Sequence, residues 1–406
     1  RGTVFGAGAG GGAVGVNGAP RRVTVLGATG SVGRATLDLI AEAPPGHFEV
    51  VALVANGNAT ALAAAARRVR ARLAVVADVA ALPALREALE GSGIAVEAGP
   101  AAVVAAASIP VDWTMAAIVG AAGLPATMAA AGGGGIVSIA NKECLVCAGP
   151  MLRAVAAAAG TTLLPADSEH NAIFQALDGT APESVERIVL TASGGPFRNW
   201  PAERMRAIRP EDALNHPVWR MGAKVTIDSA TMMNKGLEVI EAACLFPVPA
   251  ERIEVLVHPE AAIHGIVQYV DGSMLAQMGP PDMRVPIAHT LAWPRRMTTA
   301  TRRLDLATLR TITFELPDHK RFPALTLARE ALAAGGAAPT ILNAANEVAV
   351  RLFLEGRIGF LGIAALVAAA LDRLGTPAAP DLEAVLEADA TARRTALDLA
   401  TGPAFA

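Results

Sequence analysis

The feature that most constrains the fold is a regular alternation of short apolar runs and alanine-rich helical stretches in the N-terminal part of the chain. The first run leads into the glycine-rich turn GATGSVG and then into a helical pattern over residues 34–42. Such runs, separated by helices, are typical of parallel strands in a doubly wound sheet. We therefore predict an α/β, Rossmann-like N-terminal domain with strands at residues 23–26, 50–55, 74–76, 115–119 and 136–140.

At 406 residues the chain exceeds what one hydrophobic core usually organises, so several domains are expected. The Rossmann-like part should span residues 21–166. The chain after residue 166 has a more polar composition, which predicts an α+β catalytic domain over residues 167–292. Its strands are expected at 188–191, 253–258, 263–269 and 273–277. A linker over 293–318 then precedes an all-α C-terminal domain at 319–406, with helices expected at 324–334, 340–355 and 361–374.

The glycine-rich residues 1–20 lack the apolar segment of a secretory signal, and we interpret them as a flexible extension. The 34 Lys and Arg residues against 37 Asp and Glu give a net charge of −3, without a basic run that could grip nucleic acid. The apolar stretches are too short or too interrupted to span a bilayer, so no membrane partner is expected. Cys144, Cys147 and Cys244 are too few for a disulfide framework, and we interpret them as reduced thiols of a cytoplasmic protein.

The turn GATGSVG follows a strand and opens a helix, as a dinucleotide-binding site requires, although its spacing is G-x-x-G-x-x-G. Glycines at positions 27, 30 and 33 let the backbone approach a pyrophosphate; tight packing alone is the alternative. The second strand ends in Asn56, Gly57 and Asn58, where an NAD site has an acid for the ribose 2′-hydroxyl. The missing carboxylate permits a 2′-phosphate, so NADPH is favoured.

Three carboxylates in two short segments predict a metal site. Asp167 and Glu169 follow the apolar run at 161–164, and we expect them at a strand end, where alternation points both to one side and Ser168 to the other. Glu238 should lie in the first turn of a helix over residues 237–246. Three hard oxygen ligands suit Mg²⁺ or Mn²⁺ better than Zn²⁺.

Other polar segments have two interpretations each. Ser193-Gly194-Gly195 is an anion-binding nest or an ordinary glycine turn, and Asn141-Lys142-Glu143 binds a ligand at a strand end or forms a structural ion pair. Asn234-Lys235-Gly236 at a helix start is the better phosphate site. The segment 216–222 is either core or an apolar lid that excludes water. The histidines that we expect to serve packing or hydrogen bonding rather than metal binding are His170, His258 and His264.

Taken together and in order, several long strings in the sequence resemble the 1-deoxy-D-xylulose 5-phosphate reductoisomerase family. They are GATGSVG, AAIVGAAG, ANKECLV, PADSEHNAIFQ, SGGPF, DSATMMNKGLE, PDMRVPIAHTLAWP and LNAANE. The resemblance implies a homodimeric enzyme that uses NADPH and Mg²⁺ or Mn²⁺, with Co²⁺ as an alternative. It implies conversion of the sugar phosphate 1-deoxy-D-xylulose 5-phosphate to 2-C-methyl-D-erythritol 4-phosphate, in the methylerythritol phosphate route to isoprenoids.

The resemblance also implies residue roles. Asp167, Glu169 and Glu238 would bind the metal, and Lys142 and Ser168 would contact the oxygen-bearing end of the substrate. Its phosphate would be held by Ser193, Ser229, Asn234 and Lys235 with His216 nearby, and Trp219 and Met221 would belong to a flexible flap. The expected cofactor-binding residues are Gly27, Thr29, Gly30, Ser31, Val32, Gly33, Asn56, Gly57, Asn58, Ala117, Asn141, Glu143 and Gly222. The family often has a basic residue where this chain has Gly57.

Two other classes remain open at this stage. An NADP-dependent sugar-phosphate dehydrogenase without the rearrangement would need no three-carboxylate metal site, so its turnover would be independent of metal. A non-catalytic nucleotide sensor on a Rossmann scaffold would bind the cofactor without regard to metal.

Overall fold

The alternating apolar runs of the N-terminal part form the parallel sheet that the sequence predicts. The computed structural model describes residues 19–177, 179–219, 221–402 and 405, so most of the glycine-rich extension at 1–20 lies outside the described residues. The strands are β1 (Arg21–Leu26), β2 (Phe48–Ala55), β3 (Leu73–Val76), β4 (Ala95–Ala98), β5 (Trp113–Ala116), β6 (Ile136–Ile139) and β7 (Thr162–Pro165). Their order is β4-β3-β2-β1-β5-β6-β7, with every neighbouring pair parallel.

Helices connect these strands, as right-handed parallel crossovers require. They are α1 (Ser31–Glu42), α2 (Ala59–Val69), α3 (Leu82–Leu89), α4 (Pro100–Ala107), α5 (Leu124–Ala131) and α6 (Lys142–Ala159), and α7 (Ser168–Ala176) follows the last strand. α2 begins where the Asn58 side chain accepts a hydrogen bond from Ala61 N at 3.0 Å. α1 ends before Pro44 because the residue preceding a proline is held in extended backbone, here Ala43 with ψ 152°.

The structure corrects two placements of the predicted metal ligands. Strand β7 ends at Pro165, so Ser168 and Glu169 lie in the first turn of α7 and strand alternation does not orient them. Asp167 starts that helix instead, since its carbonyl accepts a hydrogen bond from Asn171 N at 2.9 Å. Glu238 lies in the second turn of its helix rather than the first, because Asn234, Lys235 and Gly236 are already helical.

A second, four-stranded sheet follows in the order β11-β10-β8-β9. Strand β10 is antiparallel to both of its neighbours, whereas β8 and β9 are parallel, which gives the mixed sheet of an α+β fold. The expected strands are confirmed within a few residues, as β8 (Val185–Ala192), β9 (Ile253–Val257), β10 (Ile263–Tyr269) and β11 (Met274–Met278).

The remaining helices include the all-α C-terminal region. Helices before and beside the second sheet are α8 (Ala202–Met205), α9 (Pro210–Ala213), α10 (Ala223–Ala230) and α11 (Met233–Leu245), followed by α12 (Arg284–Ala292). The C-terminal helices are α13 (Leu306–Leu309), α14 (Ala324–Ala334), α15 (Ala338–Leu354), α16 (Phe360–Leu374) and α17 (Leu382–Leu399). Among the described helices, none is both long and apolar enough to cross a membrane.

The chain divides into two compact units whose edges differ from the predicted domain boundaries. The first unit comprises Arg1–Cys144, Leu152–Asn171 and Asp282–Arg302, and the second comprises Leu145–Met151, Ala172–Pro281 and Arg303–Ala406. Helix α12 therefore belongs with the Rossmann-like sheet. The predicted division at 166, 292 and 318 into functional domains stays a prediction.

Helix α12 completes the core of the first unit. Ile287 and Leu291 are fully buried in one apolar cluster with Val23 and Trp113 of the sheet. Polar contacts fix the helix as well: Ser138 Oγ donates to Thr290 Oγ1 at 2.7 Å. A segment more than 100 residues away along the chain thus covers the strands that carry the glycine turn.

Leu291→Ala tests this packing. Removing a fully buried leucine side chain leaves a cavity, so we expect the free energy of unfolding to fall by about 2–5 kcal/mol. Leu306→Ala, at a leucine that is 61% exposed, is the matched control and should change it by less than about 0.5 kcal/mol. Urea unfolding followed by circular dichroism measures both; equal, small effects would show that α12 does not stabilise the first unit.

Candidate functional site

The glycine turn between β1 and α1 is built for close backbone approach. Gly27 has φ +89°, and a Cβ there would collide with the Ala117 carbonyl. A Cβ on Gly33 would collide with the Gly27 carbonyl, so α1 packs directly on the turn. The helix starts at Gly30 without a side-chain cap and without an acid in its first turn. Its N–H groups can therefore bind an anion such as a pyrophosphate, and the turn fits a dinucleotide.

The other residues predicted for this turn lie around the start of α1. Thr29 precedes the helix, and its carbonyl accepts a hydrogen bond from Arg34 Nη1. Ser31 and Val32 form the first turn of α1, and Val32 packs partly against the core. The turn thus presents backbone on its outer side and apolar side chains on its inner side.

The end of β2 lies beside the end of β3. The side chain of Asn58 caps the N-terminus of α2 by accepting a hydrogen bond from Ala61 N. The carbonyl of Asn56 accepts a hydrogen bond from Asp78 N at 3.0 Å. Gly57 lies outside the positive-φ region that favours glycine, so a larger residue would be tolerated by the backbone. The sequence analysis did not single out Asp78. This residue follows β3, whereas the dinucleotide pattern concerns the ends of β1 and β2.

Asn141 links two strand ends at the same edge of the sheet. Its Oδ1 accepts a hydrogen bond from Cys144 N at 3.1 Å, which caps α6, and its Nδ2 donates to the carbonyl of Gly120 at 3.0 Å. Ala117 lies just beyond β5 and Glu143 is buried in the first turn of α6. The capping role of Asn141 is structural, and it fixes the position of its neighbour Lys142.

Lys142 and Asp167 form an ion pair, one of the two interpretations open for the Asn141-Lys142-Glu143 segment. Lys142 Nζ lies 2.6 Å from Asp167 Oδ2, and the two side chains are 9% and 12% exposed. His170 Nδ1 lies 3.3 Å from the other carboxylate oxygen. Burial raises the pKa of the Asp167 carboxyl, but Lys142 and His170 outweigh it and hold that pKa well below its usual range. Asp167 is therefore ionised, as a metal ligand must be.

Glu169 lies in the first turn of α7, where it accepts a hydrogen bond from Ser168 Oγ. Its carboxylate adds a second hard oxygen donor to the Asp167 end of the helix. Asn171, which the sequence interpretation did not single out, donates to the Pro165 carbonyl at 2.9 Å and bonds to His289 Nδ1 at 3.0 Å. Burial, with Arg296 nearby, lowers the pKa of His289 to about 4, so His289 is neutral at physiological pH.

In the second unit, one imidazole joins two predicted phosphate residues. His216 Nε2 lies 3.0 Å from Ser193 Oγ and 3.1 Å from Ser229 Oγ. Ser193 follows β8 in the SGG turn, where Gly194 and Gly195 have φ +80° and +69°. Ser229 lies near the end of α10. Two hydroxyls, an imidazole and a glycine turn so arranged favour the anion-site interpretation of Ser193-Gly194-Gly195.

The other ring nitrogen of His216 anchors the following loop. Nδ1 accepts hydrogen bonds from Val218 N at 3.1 Å and from Trp219 N at 2.8 Å. Trp219 and Met221 are half-buried, the Trp219 ring centroid lies 6.1 Å from that of His264, and Gly222 caps α10. Since Nδ1 accepts, the proton of the neutral ring is on Nε2. Burial lowers the pKa of His216, which favours this neutral form.

Asn234, Lys235 and Glu238 form a buried polar group on α11. Asn234 Nδ2 and Lys235 Nζ donate to the two carboxylate oxygens of Glu238. The side chains of Lys235 and Glu238 are only 4% and 1% exposed. An ammonium and a carboxylate this deeply buried are costly unless they are paired, and they are the groups that a phosphate and a divalent cation would engage.

Helix α10 carries another buried carboxylate, Asp228, which was not among the predicted site residues. Asp228 Oδ2 lies 2.8 Å from Lys224 Nζ, and Asp228 Oδ1 accepts a hydrogen bond from Asn346 Nδ2 at 2.8 Å. Asn346 belongs to the LNAANE string on α15, which is thereby tied to the helix that carries Ser229. The i,i+4 spacing of Lys224 and Asp228 could have indicated their ion pair from the sequence. The contact between Asp228 and Asn346 could not be predicted in this way, because the two residues are 118 positions apart.

A cleft of about 710 Å³ opens beside Ser193 in the second unit. Pro217 of the loop after His216 borders it, together with Phe197, Trp200 and Arg198. A cleft of this volume accommodates a small, polar ligand, and Ser193 brings it into contact with the anion site.

Three family models together match most of the chain. The model for 1-deoxy-D-xylulose 5-phosphate reductoisomerase matches residues 23–149, and that for its C-terminal domain matches residues 163–246. A third, the DXP reductoisomerase C-terminal domain, matches residues 278–395.

Relatives and solved structures agree with these models. 1-Deoxy-D-xylulose 5-phosphate reductoisomerase of Rhodospirillum centenum is 59% identical, covering 93% of this chain and 94% of the relative. The enzyme of Zymomonas mobilis, solved in complex with NADPH, has a TM-score of 0.89 at 52% identity, over 94% of this chain and 99% of that one. A reductoisomerase in complex with NADPH, fosmidomycin and magnesium has a TM-score of 0.88 at 39% identity, over 94% and 98%.

The tautomer of His216 is a testable consequence of the site geometry. In side-chain ¹⁵N NMR we expect a neutral ring at pH 7 with its proton on Nε2, and a pKa below the ordinary 6.5 because burial disfavours the charged form. The signal is assigned by its loss in His216→Gln. A proton on Nδ1 would contradict the hydrogen bonds from Val218 and Trp219.

Proposed function

The chain belongs to the 1-deoxy-D-xylulose 5-phosphate reductoisomerase family, and we propose that the clusters described above are its cofactor, metal and substrate sites. The enzyme catalyses the NADPH- and divalent-metal-dependent rearrangement and reduction of 1-deoxy-D-xylulose 5-phosphate to 2-C-methyl-D-erythritol 4-phosphate, in the isoprenoid route. This activity replaces the two alternatives, a simple dehydrogenase and a nucleotide sensor.

The observation that carries the substrate assignment is the Ser193–His216–Ser229 group. A phosphate needs several fixed donors. Neutral His216 supplies an N–H at Nε2, and the hydroxyls of Ser193 and Ser229 each lie within 3.1 Å of that nitrogen. Lys235 would add the cationic contact and Asn234 an amide. Because the phosphate is remote from the reacting carbons, the energy of binding it can orient the substrate for reaction.

Asp167, Glu169 and Glu238 are the proposed ligands of the metal. Their carboxylates are the hard donors that Mg²⁺ and Mn²⁺ prefer, with Co²⁺ a further candidate. When bound, the ion supplies Lewis-acid polarisation of substrate oxygens. The protein's own part is to keep Asp167 ionised through Lys142 and to hold Lys142 and Ser168 beside it, facing the oxygen-bearing end of the substrate.

The glycine turn and the adjoining strand ends are the proposed NADPH site. Gly27, Gly30 and Gly33 shape the pyrophosphate cradle, with Thr29, Ser31 and Val32 around the start of α1. Asn56, Gly57 and Asn58 would face the adenosine ribose, and the other residues proposed to contact the cofactor are Ala117, Asn141, Glu143 and Gly222. Trp219 and Met221, on the loop anchored by His216, would cover the substrate and exclude water.

Assembly and location are proposed on separate grounds. β11 is an edge strand that exposes Met274 and Leu275 by 51% and 52%, which is unusual for a strand that ends a sheet in a lone chain and supports a homodimer formed there. All three cysteines are free thiols, which supports a cytoplasmic location.

Glu238→Gln tests the metal site. It keeps the size of the side chain but removes one of three anionic ligands, so we expect NADPH oxidation with 1-deoxy-D-xylulose 5-phosphate to fall at least a hundredfold, on the order of 3 kcal/mol in kcat/KM. NADPH affinity should stay within about twofold. Glu387→Gln, an exposed glutamate on α17, is the control for the charge change. A chelator should abolish wild-type turnover; near-normal activity of Glu238→Gln at saturating Mg²⁺ would remove Glu238 from the ligand set.

Lys235→Ala separates phosphate anchoring from chemistry. A charge-assisted contact is worth about 1.5–3 kcal/mol, so kcat/KM for the phosphorylated substrate should fall roughly ten- to hundredfold. Turnover of unphosphorylated 1-deoxy-D-xylulose should change little. Lys320→Ala, at an exposed lysine, controls for the lost charge. Equal losses with both sugars would assign Lys235 to the support of Glu238 instead.

A further inference from the structure

We propose that Asp78 is a specificity-determining residue that weakens the preference of this enzyme for NADPH over NADH. The inference rests on the proposed cofactor site in the first unit. It concerns a position outside the glycine turn and the end of β2, at the carboxyl end of β3.

The sheet order places Asp78 beside the ribose position. β1, β2 and β3 are neighbours, and a dinucleotide held at the end of β1 extends its adenosine ribose to the end of β2. Backbone hydrogen bonds join the next two strand ends: Ala77 N donates to Ala55 O at 2.9 Å, and Asp78 N to Asn56 O at 3.0 Å. Asp78 is therefore fixed against the segment that would face the 2′ position.

The Asp78 carboxylate is oriented toward Gly57. A Cβ built on Gly57 would lie 3.3 Å from Asp78 Oδ2 and 3.5 Å from Asp78 Cβ. The other oxygen, Oδ1, accepts a hydrogen bond from Ala80 N at 2.9 Å, which holds the side chain in this rotamer. Oδ2 thus occupies the side of Gly57 from which a basic residue would reach a 2′-phosphate.

The neighbouring surface suits an adenine ring. Val79 is 60% exposed, and its Cγ2 lies 3.4 Å from a Cβ built on Gly99, at the end of β4. An exposed apolar side chain next to a glycine offers an apolar surface against which the base can pack. The ribose attached to that base would then lie close to Asp78.

Charge decides between the two cofactors. A 2′-phosphate carries about −1.5 to −2 charges at neutral pH, so the Asp78 carboxylate repels it. The 2′-hydroxyl of NADH can instead donate a hydrogen bond to a carboxylate, the contact that dinucleotide sites selective for NAD use. Gly57 contributes no side-chain cation to offset this repulsion.

Calorimetric binding of NADPH and NADH to the whole enzyme tests the inference without relying on turnover. Asp78→Asn keeps the cap on Ala80 N and removes only the charge, so we expect the NADPH-to-NADH affinity ratio to rise about tenfold. The rise should shrink in 0.5 M salt, since the groups are exposed. Glu87→Gln, an exposed glutamate on α3, should leave the ratio unchanged. An unchanged ratio in Asp78→Asn, or equal changes for both cofactors, would overturn the proposal.

Gly57→Arg gives a second, independent measurement. The new guanidinium would pair with Asp78 Oδ2, so this variant alone should raise the ratio by less than the same change in the Asp78→Asn background. Additive effects would overturn the proposed contact. If the wild type bound neither cofactor, both the proposed cofactor site and the inference about Asp78 would be wrong. If it bound NADPH normally but the NADPH-to-NADH affinity ratio did not change in these variants, only the inference about Asp78 would be wrong.

Discussion

The parallel direction of the first sheet is the constraint on which the functional layout of that unit depends. Because all seven strands run the same way, their carboxyl ends lie at one edge. Gly27 follows β1, Asn56 follows β2, Ala117 follows β5, Asn141 follows β6 and Asp167 follows β7. Residues spread over 140 positions of sequence thus lie at one edge because the strands that precede them pair side by side. The crossover helices and α12 keep that edge in register by burying both faces of the sheet.

The buried ion pairs of this protein are not explained by a contribution to folding stability. Lys142–Asp167, Lys224–Asp228 and Lys235–Glu238 are three ion pairs with little exposure. Removing such charges from water costs several kcal/mol per ion, and apolar residues of similar size would usually stabilise a core at least as well. Two of these pairs include residues proposed to bind metal or phosphate. The cost is therefore consistent with groups that are kept charged and positioned in advance of their ligands.

Strands and helices with a clear local pattern could be predicted from the sequence, whereas contacts between distant segments could not. Runs buried on both faces, such as β2 and β10, were located within two residues because their apolar pattern is continuous. β4 was missed because it is an edge strand with an alternating, half-exposed pattern, and Val96 is its only large apolar residue. Asp167 and Glu169 were expected at a strand end, yet the Asp167 carbonyl starts a helix there. The packing of α12 in the first unit, the Asn346–Asp228 contact and the approach of Asp78 to Gly57 each join distant segments, which periodicity cannot reveal.

His216 connects the two serine hydroxyls of the second unit to the loop that carries Trp219. Its Nε2 contacts the hydroxyls of Ser193 and Ser229, and its Nδ1 holds the backbone of Val218 and Trp219. The two nitrogens of a neutral imidazole have opposite roles, so neither contact can change without affecting the other. If the two serines bind the substrate phosphate as proposed, the anion would take the Nε2–H bond now shared by the hydroxyls. That would fix the ring, and with it the start of the loop that carries Trp219. Phosphate binding would then also fix the start of this loop, which is one route by which binding energy remote from the reacting carbons can contribute to catalysis.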